Sequence, residues 1–239
     1  MAKIAKSAGP RTLAIDIGGT GLKALILSPK GDALTDRARV ETPHPSEPEA
    51  VLEALDRIVK PLGAFDRISC GFPGVVDDGV VRTAPNLGTE AWRDFPLALA
   101  LSERYRRPAR ALNDAGVQGH GVIEGKGTEL VLTLGTGMGC ALFVRGRYVP
   151  NVELAHHPFK KGRTYEEWVG ARALDKVGKK KWNKRVADVL AQVQPFFNPH
   201  VIYIGGGNAK HLAIDLPANV RRTENIAGLL GGIALWERD

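Results

Sequence analysis

One short pattern occurs twice in this chain of 239 residues, and it restricts the fold more than any other feature. Leu13-Ala-Ile-Asp16-Ile-Gly-Gly-Thr20-Gly-Leu-Lys23 and Val131-Leu-Thr133-Leu-Gly135-Thr136-Gly137-Met-Gly139 each run an apolar strand into a Gly/Thr turn. Each then returns to apolar residues, at Ala24–Leu27 and Ala141–Val144. A tight glycine turn after a strand exposes backbone N–H groups, and converging N–H groups bind phosphate. Two such hairpins, one in each half, predict two similarly built halves acting as two jaws on one phosphate donor.

The rest of the chain mixes helix and strand signals. Val51, Leu52, Leu55, Ile58, Val59 and Leu62 share one face of a helix over Pro48–Leu62. Further helices are predicted over Pro96–Arg107, Ala115–Glu124, Asn183–Phe197 and Ile226–Trp236. Strands are predicted at Arg37–Thr42, Arg67–Cys70, Ala109–Leu112 and Val201–Ile204, the last running into Gly205-Gly206-Gly207. Val75–Val81 reads as a hairpin around an Asp-Gly turn. Such a mixture predicts an α/β class.

Charge and cysteine usage narrow the function classes. No apolar run approaches the length of a membrane span. Met1–Pro10 has basic residues but no apolar core, so it reads as a loose tail rather than a secretory signal. Cys70 and Cys140 lie in strand-like apolar segments and read as buried thiols, not a disulfide framework. Together these features predict a cytoplasmic protein. The net charge of +7 favours polyanionic partners: nucleic acid, a phosphate polymer or a nucleotide. Much of it falls in Lys176–Arg185, which holds Lys176, Lys179, Lys180, Lys181, Lys184 and Arg185 around Trp182, with no acidic residue. That segment is either a polyanion patch or a solvated loop and helix start.

Three sites carry residues suited to chemistry. Asp16, a strand-end carboxylate beside a phosphate turn, suits a water-coordinated Mg²⁺, or it serves the turn itself. Lys23 could meet a phosphate as a point charge, or be an exposed strand lysine. Asn113-Asp114 sits between a strand and a helix. A carboxylate there can take the proton of an alcohol attacking phosphorus, while the same dipeptide makes a good helix N-cap. In Glu153-Leu-Ala-His156-His157 the acid could accept from, and the imidazole donate to, vicinal hydroxyls; a metal site is the competing reading.

As an ordered set, Asp16-Ile-Gly-Gly-Thr20, Asn113-Asp114-Ala115, Leu134-Gly135-Thr136-Gly137-Met-Gly139, Glu153-Leu-Ala-His156 and Gly205-Gly206-Gly207 resemble the ROK family of sugar kinases and repressors. Phe72-Pro73-Gly74-Val75-Val76, Thr83-Ala-Pro-Asn86-Leu87 with Trp92, Val149-Pro-Asn-Val-Glu153-Leu, Tyr165-Glu166-Glu167-Trp168 and Gly178–Arg185 are similar to its polyphosphate glucokinase branch. The likeness spans residues 11–237.

The resemblance implies an actin-like ATPase (ribonuclease H-like) fold, α/β in class, with two α/β domains around a cleft. A small N-terminal domain, 11–112, would hold the first phosphate turn. A larger one, 113–224, would hold the catalytic Asp, the second turn and the sugar residues. A helix over 225–237 would pack back on the first domain. The implied reaction moves a phosphoryl group from polyphosphate to the 6-hydroxyl of glucose or a similar hexose, with ATP as the alternative donor. Asp114 would be the base. Asn86, Asn113, Asp114, Glu153, His156 and Glu166 would bind the sugar. Asp16, Gly18, Gly19, Thr20, Lys23, Thr136, Gly137, Gly206 and Gly207 would hold the donor, with Gly205 beside them and Mg²⁺ at Asp16. Lys179, Lys180, Lys181, Lys184 and Arg185 would contact a longer polyanion. A homodimer, no membrane and no specific nucleic acid complete the expectation.

The chain departs from the family pattern in three places. Ala155 replaces the Gly of Glu-x-Gly-His, which disfavours positive φ there, and His157 offers a second imidazole. No Cys follows Cys140, so no structural zinc is expected. Gly116 stands where the branch often has Asp. Family repressors carry a helix-turn-helix ahead of the first turn, and the short stretch before it here is too small for one. A non-catalytic sugar-binding member is the other alternative, and Asp114 and both glycine turns speak against it.

Overall fold

The computed structural model describes residues 9–150, 152–223 and 227–237; the first eight residues of the predicted tail and the start of the predicted last helix lie outside these. The chain divides into two compact units. One runs to Gly121 and resumes at Gly228, and the other is Val122–Ala227.

The first unit opens with the predicted hairpin of β1 (Thr12–Ile17) and β2 (Leu22–Leu27), in which Asp16 lies opposite Lys23. β3 (Ala38–Val40) pairs antiparallel with β2. α1 (Pro48–Val59) starts with Pro at its first turn and buries Val51, Leu52, Leu55, Ile58 and Val59, the face expected from the spacing. β4 (Arg67–Phe72) then runs parallel to β1. The small hairpin of β5 (Val76–Asp77) and β6 (Val80–Val81) turns at Asp78-Gly79, both at positive φ (48° and 75°), as a primed turn requires. α2 (Thr89–Trp92), α3 (Leu97–Tyr105), β7 (Ala109–Asn113) and α4 (Asp114–His120) follow, with β7 parallel to β4. The sheet order is β3-β2-β1-β4-β7.

The second unit repeats this plan. β8 (Thr128–Leu134) and β9 (Met138–Val144) form the second hairpin, and β10 (Arg147–Val149) extends it antiparallel. The short pair β11 (Pro158–Lys160) and β12 (Arg163–Thr164) leads to α5 (Tyr165–Val169) and the long α6 (Ala171–Phe197). β13 (Val201–Gly205) runs parallel to β8, and β14 (Val220–Arg222) parallel to β13. Its order, β10-β9-β8-β13-β14, matches the first sheet strand for strand. α7 (Ala227–Ala234) closes the chain, and from Gly228 onward it belongs with the first unit. This doubled mixed sheet is the architecture of the actin-like ATPase fold.

The structure differs from expectation at three points. The division falls after Gly121, so α4 and Asp114 sit in the first unit, which is also the larger one. α4 stops at His120 rather than Glu124, where Gly121 donates its N–H back to Gln118 and Gly119; two internal glycines weaken this helix. Lys176–Arg185 is helical, broken only at Gly178 (φ 73°, ψ 161°).

Each unit has its own core. Leu13, Ile15, Phe72 and Trp92 centre the first, and the Trp92 Nε1–H donates to the Ser46 carbonyl at 2.7 Å. Leu132, Trp182, Val186, Val189 and Ile204 centre the second, where the Trp182 Nε1–H donates to the Val169 carbonyl at 2.7 Å. Cys70 and Cys140 are free and buried; burial, with the nearby Glu153 charge, pushes the Cys140 thiol up to about 12. Among the described residues no helix is long and apolar enough to cross a membrane.

Candidate active site

In the first unit, the turn after β1 is closed by the Gly18 N–H donating to Gly21 O (3.2 Å) and fixed from outside by the Thr42 hydroxyl donating to Gly18 O (2.5 Å). Asn86 lies against this turn: a Cβ on Gly19 would sit 3.3 Å from the Asn86 Cβ. Thr20 is exposed at the tip. Lys23 Nζ donates to Asp16 Oδ2 at 2.7 Å, and both side chains remain partly exposed. Mg²⁺ keeps several waters and takes one or two carboxylates plus substrate phosphates, so a single accessible Asp at a phosphate turn fits it. Among the described residues no three His, Cys, Asp or Glu side chains gather to hold a metal by protein alone.

Of the two readings of Asn113-Asp114, the structure shows the helix cap. Asn113 is the N-cap of α4: its Oδ1 accepts from Ala115 N (2.9 Å) and Gly116 N (3.2 Å), while its Nδ2 donates to Gly74 O (3.1 Å). Its acceptor capacity is used, and one amide N–H remains for a ligand. Asp114 is the next residue, half-buried, with Oδ1 accepting from Ala115 N at 2.7 Å. Gly71 on β4 faces it, and a Cβ there would stand 3.4 Å from the Asp114 Cα.

In the second unit, the turn after β8 closes with Gly135 N donating to Gly137 O (3.0 Å), and Thr136 O accepts from Ala171 N (3.0 Å). Two neighbours shape it. A side chain on Gly206, which sits at φ 86°, would overlap the Leu134 backbone. Asn208 donates its N–H to Leu134 O (2.9 Å) and its Nδ2–H to Gly135 O (2.8 Å). The glycine loop after β13 is thereby fastened to the second phosphate turn.

Glu166 meets that same turn. Thr164 and Glu167 form the capping box of α5, which leaves Glu166 to lie over Gly137; a methyl on Gly137 would overlap its carboxylate. Glu153 precedes and His156 ends a 3-10 turn at Leu154–His156, with the Glu153 Oε2 3.8 Å from the His156 Nε2. Burial holds the Glu153 carboxyl above its ordinary value; His156 opposes that shift and the Glu166 charge adds to it. Ala155 is buried in this turn and is not at positive φ, so its methyl meets no backbone strain. His157 is exposed at the C-terminal end of the turn.

The structure thus places Asp16, Gly18, Gly19, Thr20, Lys23, Asn86, Asn113 and Asp114 in the first unit. Thr136, Gly137, Glu153, His156, Glu166, Gly206 and Gly207 lie in the second. Lys179, Lys180, Lys181 and Lys184 are exposed along α6. Arg185 leaves that patch: it is buried, donates to the Trp168 carbonyl at 3.1 Å, and stacks 4.3 Å from the Trp168 ring. Trp182 is core as well and offers no exposed ring to a ligand. Thr42 and Asn208 were not singled out from sequence; a polar residue following a glycine run was the only available signal for Asn208.

The pattern that defines the ROK family matches residues 12–150. The chain is 32% identical over 240 residues to the polyphosphate glucokinase of Mycobacterium leprae (strain TN), covering 94% of this chain and 72% of the relative. It is 33% identical over 242 residues to the polyphosphate glucokinase of Mycobacterium tuberculosis (strain ATCC 25618 / H37Rv), covering 91% and 88%. Its structure is similar to the inorganic polyphosphate/ATP-glucomannokinase of Arthrobacter sp. strain KM, with a TM-score of 0.86, 32% identity and 96% and 98% of the two chains covered. The glucose- and AMPPNP-bound ROK family glucokinase of Streptomyces griseus shares the fold, with a TM-score of 0.76, 20% identity and coverage of 94% and 98%.

Proposed function

This chain belongs to the ROK family, and we propose that it moves a phosphoryl group from polyphosphate to the 6-hydroxyl of glucose or a similar hexose. The observation that carries the reading is the contact between Gly137 and the Glu166 carboxylate, which sets a phosphate-type turn directly against a hydroxyl-binding acid. The named activities of relatives at 32% and 33% identity, and of the Arthrobacter glucomannokinase, support it.

Asp114 is the general base in this reading. As the sugar oxygen attacks the terminal phosphorus, its proton passes to the Asp114 carboxylate, one P–O bond forms, and the bond to the shortened polyphosphate breaks. Such base catalysis is worth about 10²–10⁴-fold. The remaining acceleration comes from positioning and charge neutralisation. Glu153 accepts from sugar hydroxyls, His156 donates to them, and Glu166 completes the set. Asn113 contributes its remaining amide N–H, and Asn86 a side chain beside the first turn. Backbone N–H groups of Gly19, Thr136 and Gly137 hold phosphate oxygens, the Gly18 N–H being spent on closing its own turn, with Lys23 as a point charge. Mg²⁺, held by Asp16 through water, supplies further charge neutralisation when bound. In this reading the enzyme acts as a homodimer, which the family resemblance implies, in the cytoplasm, which the cysteine usage and composition favour, and without a specific nucleic acid partner.

The donor decides between this reading and an ATP-only kinase. Purified protein is given glucose with polyphosphate or with ATP at matched Mg²⁺, and glucose 6-phosphate is measured. Turnover with polyphosphate is expected; turnover with ATP alone would overturn the reading.

A further inference from the structure

Arg185 stands among lysines in the sequence, yet only 7% of it is exposed, and its contacts lead to another element. Its Nη1–H donates to the Trp168 carbonyl at 3.1 Å, and its guanidinium stacks 4.3 Å from the centre of the Trp168 ring. One cation thus grips one residue of α5 twice. Three residues earlier on α6, and so on the same helix face, the Trp182 Nε1–H donates to the Val169 carbonyl at 2.7 Å. The carbonyls at the end of a helix have no partner within it, and α6 satisfies two in succession at the end of α5. Asn183 fixes this part of α6 in turn. Its Nδ2 donates to the carbonyls of Lys179 and His211 (both 2.9 Å), and its Oδ1 accepts from Ala213 N (2.7 Å).

α5 depends on such support. With five residues it is far too short to be stable on its own. The capping box holds its start. The Phe159 ring packs against Tyr165 and Trp168, with centroids 4.3 and 6.0 Å apart. Its end lies close to the second glycine turn: a Cβ on Gly170 would stand 2.9 Å from Glu166 O and 3.0 Å from Thr136 O. Glu166 stands between these two ends, two residues before Trp168. Both belong to the same short helix, so a displaced Trp168 carries Glu166 with it.

Stability gives no reason for an arginine at this position. Among the described residues no carboxylate pairs with it; Asp188, the acid near it, pairs with Lys160 at 3.2 Å. Its Nε is buried without a hydrogen-bond partner among the described residues. A buried guanidinium without a counter-charge costs stability, and well-packed apolar side chains often do as well or better in such places.

We propose that Arg185 is a positioning residue for the sugar: by holding the end of α5 it sets the Glu166 carboxylate over Gly137, and it acts on the acceptor rather than on the donor. The inference rests on Glu166 as a sugar-binding acid. It separates Arg185 from the exposed lysines around it, whose side chains face solvent while this one faces Trp168.

The test compares the steady-state kinetics of wild type, Arg185→Met and Arg185→Lys, with Arg147→Met, an exposed residue on β10, as control. Met keeps an unbranched stem and loses the guanidinium; Lys keeps the charge and loses the planar stack. For Arg185→Met the expected result is a KM for glucose raised about tenfold or more with the KM for polyphosphate unchanged, since misplacement of a positioned group by about 1 Å costs up to about 10²-fold. Arg185→Lys should raise the KM for glucose by less, and it decides the matter if circular dichroism shows Arg185→Met unfolded. In a Glu166→Gln background Arg185→Met should add little, because two residues acting on one contact are not additive. The control should match wild type. A raised KM for polyphosphate with that for glucose unchanged would return Arg185 to the donor and overturn the inference. Unchanged kinetics in the Arg185 variants, or a full additional loss in the double variant, would overturn it too. A wild type that does not phosphorylate glucose or a similar hexose would overturn the proposed function and, with it, this role; that failure shows in the wild type alone.

Discussion

Glu153 holds a charge at a cost to stability. Burial raises its pKa above 4.5, so between that value and the folded one the native state binds a proton that the unfolded state has lost. Stability contributed at this position therefore falls as pH rises through that window, and the loss persists at pH 7. Below 4.5 the carboxyl is protonated in both states and the cost vanishes. Glu153→Gln is expected to be more resistant to urea than wild type at pH 7, with the difference closing as pH falls below the ordinary carboxylate range. Its KM for glucose should rise, since an accepting carboxylate has been lost. A variant less stable than wild type at pH 7 would contradict the electrostatic reading. Gly137 carries the other prediction at this scale. Gly137→Ala has to displace Glu166 or the turn, and misplacement of reacting groups by about 1 Å costs on the order of 10²-fold. Steady-state kinetics should show a loss of that order in kcat/KM with an unchanged far-ultraviolet spectrum; a wild-type rate would show that Glu166 has no part in the chemistry.

Among the elements, α7 depends most on close approach. A side chain on Gly231 would overlap the Val117 carbonyl of α4, and a Cβ on Gly232 would stand 3.1 Å from the Ser69 Cβ. The Ser69 hydroxyl donates to Gly232 O (2.5 Å) and accepts from Trp236 Nε1 (2.9 Å), while Arg110 and Arg67 stack on the Trp236 ring at 4.7 and 5.3 Å. Gly231→Val is expected to lower the urea midpoint by the equivalent of about 1–3 kcal/mol; an unchanged midpoint would mean that the helix does not dock this closely. The elements readable from sequence were those with an apolar period or run, including the glycine-turn hairpins, α1, α3, β3, β4, β7, β13 and the Asn183–Phe197 part of α6, together with the β5–β6 hairpin marked by its Asp-Gly turn. α2, β11, β12 and α5 carry no such period, being two to five residues long. The first half of α6 was hidden because its lysines and Gly178 show no apolar face. Asn208 and Asn183 were beyond reading for another reason: their bonds reach across 73 and 28 residues, and no local pattern announces such partners.

On the scale of the whole molecule, the doubled pattern in the sequence corresponds to two sheets of identical strand order with different duties. The first unit holds Asp114, the proposed base, and one glycine turn; the second holds the other glycine turn and Glu153, His156 and Glu166, the residues proposed for the sugar. This division was partly legible, because the chemical residues stand at strand ends beside glycine turns. The boundary was not, because α4 follows Asn113 directly in sequence yet packs against β4, where Gly71 leaves room for Asp114. The central claim is that Asp114 removes the proton of a sugar hydroxyl during phosphoryl transfer. Asp114→Asn keeps the shape of the side chain and removes its basicity. With saturating polyphosphate and Mg²⁺, the expected result is a kcat for glucose phosphorylation lower by about 10²–10⁴-fold with little change in the KM for glucose. A variant that phosphorylates glucose at the wild-type rate would contradict it.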